Sequence, residues 1–87
     1  MYTVKPTARF QRDVKLAAKR GYQIDLLTTV IKQLSAGKTL AESYRDHPLK
    51  GKYAGCRECH ITPDWLLMYE IVNDELILFL TRTGTHS

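Results

Sequence analysis

Eighty-seven residues make one small domain, expected to span residues 1–87, with no room for a separate cofactor domain; at this size only about 60% of the unfolded chain's surface is buried on folding. Hydrophobic residues at 44% and charged residues at 25% exclude a disordered chain. Thirteen Lys and Arg against nine Asp and Glu, a net charge of +4, favour a polyanionic partner, while the short apolar runs exclude a bilayer-spanning segment, which needs roughly 20 residues.

Met1-Tyr2-Thr3-Val4-Lys5-Pro6 lacks the apolar stretch of a secretory signal, so a cytoplasmic protein is expected. Residues 1–5 are β-prone, and Pro6-Thr7 reads as a stop followed by a helix cap. Over residues 8–20 Phe10, Val14, Ala17 and Ala18 recur at helical spacing with Arg9, Arg12, Lys15 and Lys19 on the other face, and Gly21 ends the helix. A second helix over 24–36 carries Leu26, Leu27, Val30, Ile31 and Leu34 on one face and ends at Gly37. Residues 38–51 have weak periodicity and mixed charge, and read as a partly irregular connector containing His47. Three β-rich stretches follow, 53–61, 65–72 and 75–83, separated by Thr62-Pro63-Asp64 and Asn73-Asp74 as hairpin turns. The expected fold is α+β: one N-terminal strand, a helical hairpin, then a three-stranded antiparallel meander with the helices on one face.

Pairing arithmetic then gathers polar residues. A two-residue Asn73-Asp74 loop sets Trp65 across from Arg82 and Asp64 beside Thr83; a Thr62-Pro63-Asp64 turn pairs Ile61 with Trp65 and puts His60 one residue further down. His86 reaches the same end of the sheet if the chain turns at Gly84, whereas His47 is not placed by this argument. Cys56 and Cys59 have CxxC spacing, but a second ligand pair is missing and residues three apart on a strand point to opposite faces. Two reduced thiols in a reducing compartment are expected, and no metal site.

Three histidines in a basic chain suit acid–base work on RNA, because an imidazole with an ordinary pKa of about 6.5 both takes and gives a proton near neutrality. RNA supplies its own nucleophile, the 2′-hydroxyl. A nuclease without metal or other cofactor then needs a base, an acid for the 5′ leaving oxygen, and cations for the phosphorane's charge. His86 is assigned as the acid and Arg82 as the phosphate clamp, its planar guanidinium engaging two oxygens. His60 or His47 is the base, and Asp64 either accepts the proton or holds an imidazole in the useful tautomer. Lys50, Lys52 and the first-helix cations bind the RNA backbone. Trp65 stands equally as a core residue or a base-stacking one, and Asp64 equally as a turn residue.

Tyr44-Arg45-Asp46-His47-Pro48-Leu49-Lys50-Gly51, His60 with Pro63-Asp64-Trp65, Leu66-Leu67-Met68-Tyr69 and Arg82-Thr83-Gly84-Thr85-His86, with Asp13-Val14-Lys15-Leu16-Ala17 and Lys19-Arg20 in the first helix, together resemble the RelE/ParE toxin superfamily, most closely its YafQ-like branch. The resemblance covers almost the whole chain. It implies one strand, two helices and an antiparallel sheet, and an endoribonuclease that cuts messenger RNA on the ribosome. It makes His47, His60, Asp64 and His86 catalytic and places Arg82 and Trp65 in the substrate site. It also implies an antitoxin encoded beside the toxin, with a ribbon-helix-helix DNA-binding part and an extended segment that wraps the toxin. Such toxins continue past the position matching His86 to an aromatic that contacts the substrate base, whereas this sequence stops at Ser87, so a weak enzyme with a loosely held end is expected. Two other readings are a sister toxin acting on a protein such as DNA gyrase, which does not need the histidine set, and a noncatalytic RNA- or ribosome-binding module.

Overall fold

The computed structural model describes residues 1–85. Strand β1 (Thr3–Pro6) leads into helices α1 (Ala8–Lys19) and α2 (Ile24–Ser35); a 3-10 turn (Glu42–Tyr44) precedes the short β2 (His47–Pro48), and another (Gly51–Tyr53) precedes β3 (Arg57–Thr62). Strands β4 (Trp65–Val72) and β5 (Ile77–Thr85) complete the described residues, with a 3-10 turn (Asn73–Glu75) between them. Local signals set the helix ends. The Thr7 hydroxyl accepts from the Phe10 amide at 3.0 Å, satisfying one of the orphan N–H groups of the first turn. Gly21 and Gly37 follow the helices at φ 85° and 79°, a left-handed conformation that a Cβ disfavours.

The sheet has five strands in the order β1-β5-β4-β3-β2, antiparallel except where β1 runs parallel to β5. The expected α+β class, helical hairpin and β3–β4–β5 meander are present. The layout differs in two ways: the N-terminal strand joins the meander as a parallel edge strand, and a two-residue strand at His47–Pro48 lies inside the stretch expected to be irregular.

One face of the sheet is covered. Phe10 and Ala17 of α1 and Leu27, Val30 and Leu34 of α2 close on Cys59, Ile61, Trp65, Leu67, Tyr69, Leu78 and Leu80 in a continuous apolar cluster. Each such aliphatic or aromatic side chain taken out of water contributes roughly 1.5–3 kcal/mol before entropy is subtracted. Ala18 and Leu26, expected on the buried stripes, are exposed instead. Among the described residues no helix is long and apolar enough to cross a membrane.

The register also differs from the pairing arithmetic. Trp65 stands across from Thr85 and Arg82 across from Met68. Two features account for the shift. The turn consumes four residues rather than two, because the 3-10 turn ends in Leu76 at φ 54°, and a bulge between Met68 and Tyr69 leaves Thr81 without an opposite number. Thr83 accordingly pairs with Leu67 and not with Asp64. At the other turn Thr62 pairs with Trp65, and His60 pairs with Leu66.

Candidate active site

The bulge reverses which residues of β5 face the helices. Leu78 and Leu80 point into the core before it and Thr83 after it, so Arg82 and Gly84 emerge on the uncovered face. The register then puts two rows of residues across that face. His47 on β2, Glu58 on β3, Met68 on β4 and Arg82 on β5 are successive cross-strand partners, and His60, Leu66 and Gly84 form the neighbouring row. Leu66 is buried yet stands apart from the main core, and makes an apolar floor beneath the polar groups.

Each described histidine is fixed through the same ring nitrogen. His47 Nδ1 lies 2.8 Å from the Arg45 carbonyl oxygen, and His60 Nδ1 lies 3.3 Å from that of Pro63. A carbonyl only accepts, so in each ring Nδ1 is the donor and Nε2 is the nitrogen with the free lone pair in the neutral imidazole. The rings are 6.5 Å apart between centroids, and His47 Nε2 lies 3.6 Å from Glu58 Oε1. A proton taken up at that nitrogen therefore produces an imidazolium beside a carboxylate. The Arg45 carbonyl is aimed at His47 by a residue in the left-handed region, φ 49°, a conformation uncommon for arginine.

Asp46, next in sequence, points to the covered side. Its carboxylate accepts from the Tyr69 hydroxyl at 2.7 Å and from Arg57 Nε at 3.2 Å. Burial of Tyr69, together with the Asp46 hydrogen bond and charge, pushes the phenol well above its ordinary pKa. Burial would lower the Arg57 pKa, but the Asp46 charge and the hydrogen bonds of Tyr69 and Asp46 together outweigh it, so the guanidinium stays protonated.

At the far end of the row, Arg82 donates through Nε and Nη2 to the two carboxylate oxygens of Asp13 on α1, at 2.9 and 3.1 Å. The Thr83 amide donates to the same carboxylate at 3.1 Å. Burial pushes the Asp13 pKa up, yet the Arg82 hydrogen bond, the Thr83 amide and the charges of Arg82 and Arg9 hold it below the ordinary carboxylate range. Arg82 borders two shallow hollows, one of about 240 Å³ shared with Tyr53, Glu58, Leu66 and Met68, and one of about 220 Å³ against α1. A larger hollow of about 500 Å³ opens on the other side of His60, between Tyr44-Arg45 and Thr62-Pro63.

Of the residues singled out in the sequence, His47, His60 and Arg82 share the uncovered face. Lys50, just before the 3-10 turn that precedes β3, and Lys52, within it, are exposed, with Lys52 Nζ 5.7 Å from the Tyr53 ring centroid. Trp65 is not on that face. It is 3% exposed, packs edge-on against Tyr22 with centroids 5.1 Å apart, and belongs to the core. Asp64, exposed in the β3–β4 turn, borders a different hollow with Tyr22, Gln23, Leu26 and Thr62. The Nδ1 contacts of His47 and His60 are with the carbonyls of Arg45 and Pro63 rather than with Asp64. His86 lies outside the described residues. Glu58, the carboxylate beside an imidazole, was missed, although alternation along Arg57-Glu58-Cys59-His60 places it on the face of His60.

Cys56 precedes β3 and Cys59 faces the core, both as free thiols. Burial pushes Cys59 up to about 12 and, with the Glu70 charge, raises Cys56, so neither is a thiolate near neutrality. Among the described residues no group of three or more His, Cys, Asp and Glu is placed to hold a metal ion.

Fold and face together define a small basic α+β domain that carries two imidazoles, a carboxylate and a guanidinium on one open face of its sheet. Residues 2–87 match the family described as bacterial toxin of type II toxin-antitoxin system, YafQ, and the chain belongs to that family. The mRNA interferase toxin YafQ of Escherichia coli K12 is 38% identical over 85 residues, 97% of this chain and 90% of that protein. A metal-bound toxin from Helicobacter pylori superposes with a TM-score of 0.92 at 43% identity, covering 99% of this chain and 96% of that one. The toxin in the E. coli DinJ-YafQ toxin-antitoxin complex superposes at 0.88 with 35% identity over 98% and 92% of the two chains.

Proposed function

We propose that this chain is the toxin of a type II toxin-antitoxin pair and an endoribonuclease that cleaves messenger RNA in the cytoplasm, on the ribosome, by attack of the 2′-hydroxyl on the adjacent phosphate. The family membership and the named activity of the E. coli relative support the reaction class. The row His47, Glu58, Met68, Arg82, with His60 beside it, is the observation that carries the chemistry. No sister reading as a gyrase poison or a noncatalytic module calls for two imidazoles presenting the same nitrogen.

In this reading His47 or His60 takes the 2′-hydroxyl proton at Nε2. The 2′-oxygen bonds to phosphorus, and the 5′-oxygen leaves with a proton supplied by His86. The products are a 2′,3′-cyclic phosphate and a 5′-hydroxyl. Glu58 offsets the charge gained by His47, and Arg82 binds the phosphorane oxygens. Lys50 and Lys52 hold the RNA backbone away from the cut. The antitoxin partner is inferred from the DinJ-YafQ assembly of the E. coli relative, as an acidic protein whose extended segment covers this basic surface.

Cleavage of synthetic RNA and of translating messages tests the proposal. His47→Ala and His60→Ala should each lower the rate by on the order of 100-fold or more with far-UV circular dichroism unchanged. Placing hydrogen at the single 2′ position of the cut site should block the reaction, and excess chelator should not. A cut 2′-deoxy substrate sinks this mechanism. Loss of activity in chelator transfers the chemistry to a bound metal, an outcome the metal-bound Helicobacter pylori toxin makes worth measuring.

A further inference from the structure

Asp13 is the lone acid on a basic helix. Around it α1 carries Arg9, Arg12, Lys15 and Lys19, and no acidic residue occupies the first turn, where a carboxylate would favour the helix dipole. Its side chain is 14% exposed and ends on three donors that all belong to β5: Nε and Nη2 of Arg82 and the amide of Thr83.

That segment of β5 is an edge. Strand β1 pairs with β5 only from Ile77 to Leu80, so beyond Leu80 the strand has β4 on one side alone. An edge amide and a long cationic side chain on such a strand are ordinarily loose. Here one carboxylate engages both. It also uses a defined side of the guanidinium, the Nε/Nη2 side, and leaves the donors of Nη1 for another ligand.

We propose that Asp13 is a positioning residue for RNA cleavage: it holds the guanidinium of Arg82 so that its remaining donors meet the scissile phosphate, while pinning the edge strand through Thr83. This deepens the reading of Arg82 as the phosphate clamp and rests on it. A carboxylate this close to RNA opposes binding by charge, so its benefit lies in the transition state, where a misplaced clamp loses rate. The split between affinity and rate follows. Loss of the Asp13 charge should leave RNA affinity equal or tighter and cleavage slower.

The test compares wild-type protein, Asp13→Asn, Arg82→Ala and the double variant. Single-turnover cleavage is measured alongside binding to an RNA oligonucleotide with 2′-hydrogen at the cut site. Asp13→Asn should reduce the rate by about tenfold or more without weakening binding. In the Arg82→Ala background the same change should alter the rate by less than about twofold, because the two act as one unit. A rate unchanged or raised by Asp13→Asn, equal losses in rate and affinity, or a full tenfold loss persisting without Arg82 would each overturn the proposal. A measurement on the wild-type protein stands if the variant does not fold: Arg82 Hε should exchange with solvent more slowly than Hε of Arg12, and equal exchange overturns the contact. Because exchange is read without any RNA, failure of the wild type to cut RNA counts against the proposed activity and leaves the Asp13–Arg82 contact to be judged separately.

Discussion

Replacing Trp65 separates two roles that its sequence position leaves equal. The indole is 3% exposed and lies edge-on to Tyr22 at 5.1 Å, so Trp65→Ala removes a buried aromatic from beneath α2 and costs about 3–5 kcal/mol. Small domains hold only roughly 5–15 kcal/mol in total. At about 4–8 °C per kcal/mol for a chain of this size, the melting temperature should fall by at least ~12 °C. Trp65→Phe is the informative companion. The Nε1–H group is buried with no hydrogen-bond partner among the described residues. An unpaired buried donor costs about 1–3 kcal/mol, and phenylalanine removes it while keeping a ring against Tyr22 and leaving a smaller void than alanine does. These opposing terms should keep Trp65→Phe within about 1.5 kcal/mol of the wild type. Urea and thermal unfolding followed by far-UV circular dichroism measure both variants, with RNA binding of the folded protein as control. A Trp65→Ala variant that melts within about 4 °C of the wild type while losing tenfold in RNA affinity would refute the core assignment and restore a stacking role.

Two pH effects follow from the tied groups. The folded-state pKa of Asp13 is depressed, so its contribution is present above the ordinary carboxylate value near 3.9 and is lost as pH falls through the lowered value; urea midpoints of Asp13→Asn should drop less than those of the wild type between pH 5 and pH 3. Tyr69 and Cys59 have raised folded-state values, so their contributions are complete below the unfolded values of about 10 and 8.5 and are lost as pH rises; the wild type should weaken between about pH 9 and 11, and Tyr69→Phe less steeply.

The helices were legible because their ends are written locally. Thr7 caps α1 with its own hydroxyl, and Gly21 and Gly37 supply the left-handed residues that close each helix, so the expected ranges fall within a residue or so of the observed ones. The register was not legible, because it depends on two events without a compositional signature. Leu76 reads as part of a strand but adopts a left-handed conformation, and the bulge at Met68/Tyr69 inserts Thr81 into a run that looks regular. Strand β2 has only two residues, too few to show alternation, and is a strand because Glu58 and Arg57 offer it partners. The histidines and Arg82 stood out by residue type. Glu58 did not, since one carboxylate in a β-stretch is unremarkable until the pairing places it opposite His47.

The site runs from one sheet edge to another, and this explains where its supports lie. His47 sits on β2, the outermost strand, and Arg82 on the part of β5 that β1 leaves uncovered. Edge strands carry half the ladder and fluctuate most, yet the acid–base and phosphate-binding roles proposed for His47 and Arg82 need fixed placement. An aspartate anchors each end. Asp46 ties the chain beside His47 to Tyr69 and Arg57 on the covered face, at 2.7 and 3.2 Å, and Asp13 ties Arg82 and Thr83 to α1 at 2.9–3.1 Å. Both carboxylates accept charge-assisted hydrogen bonds and both keep partly to the interior, where such bonds are screened least. The phenol of Tyr69, 1% exposed, thereby reaches through Asp46 to the chain that carries His47 on the opposite face.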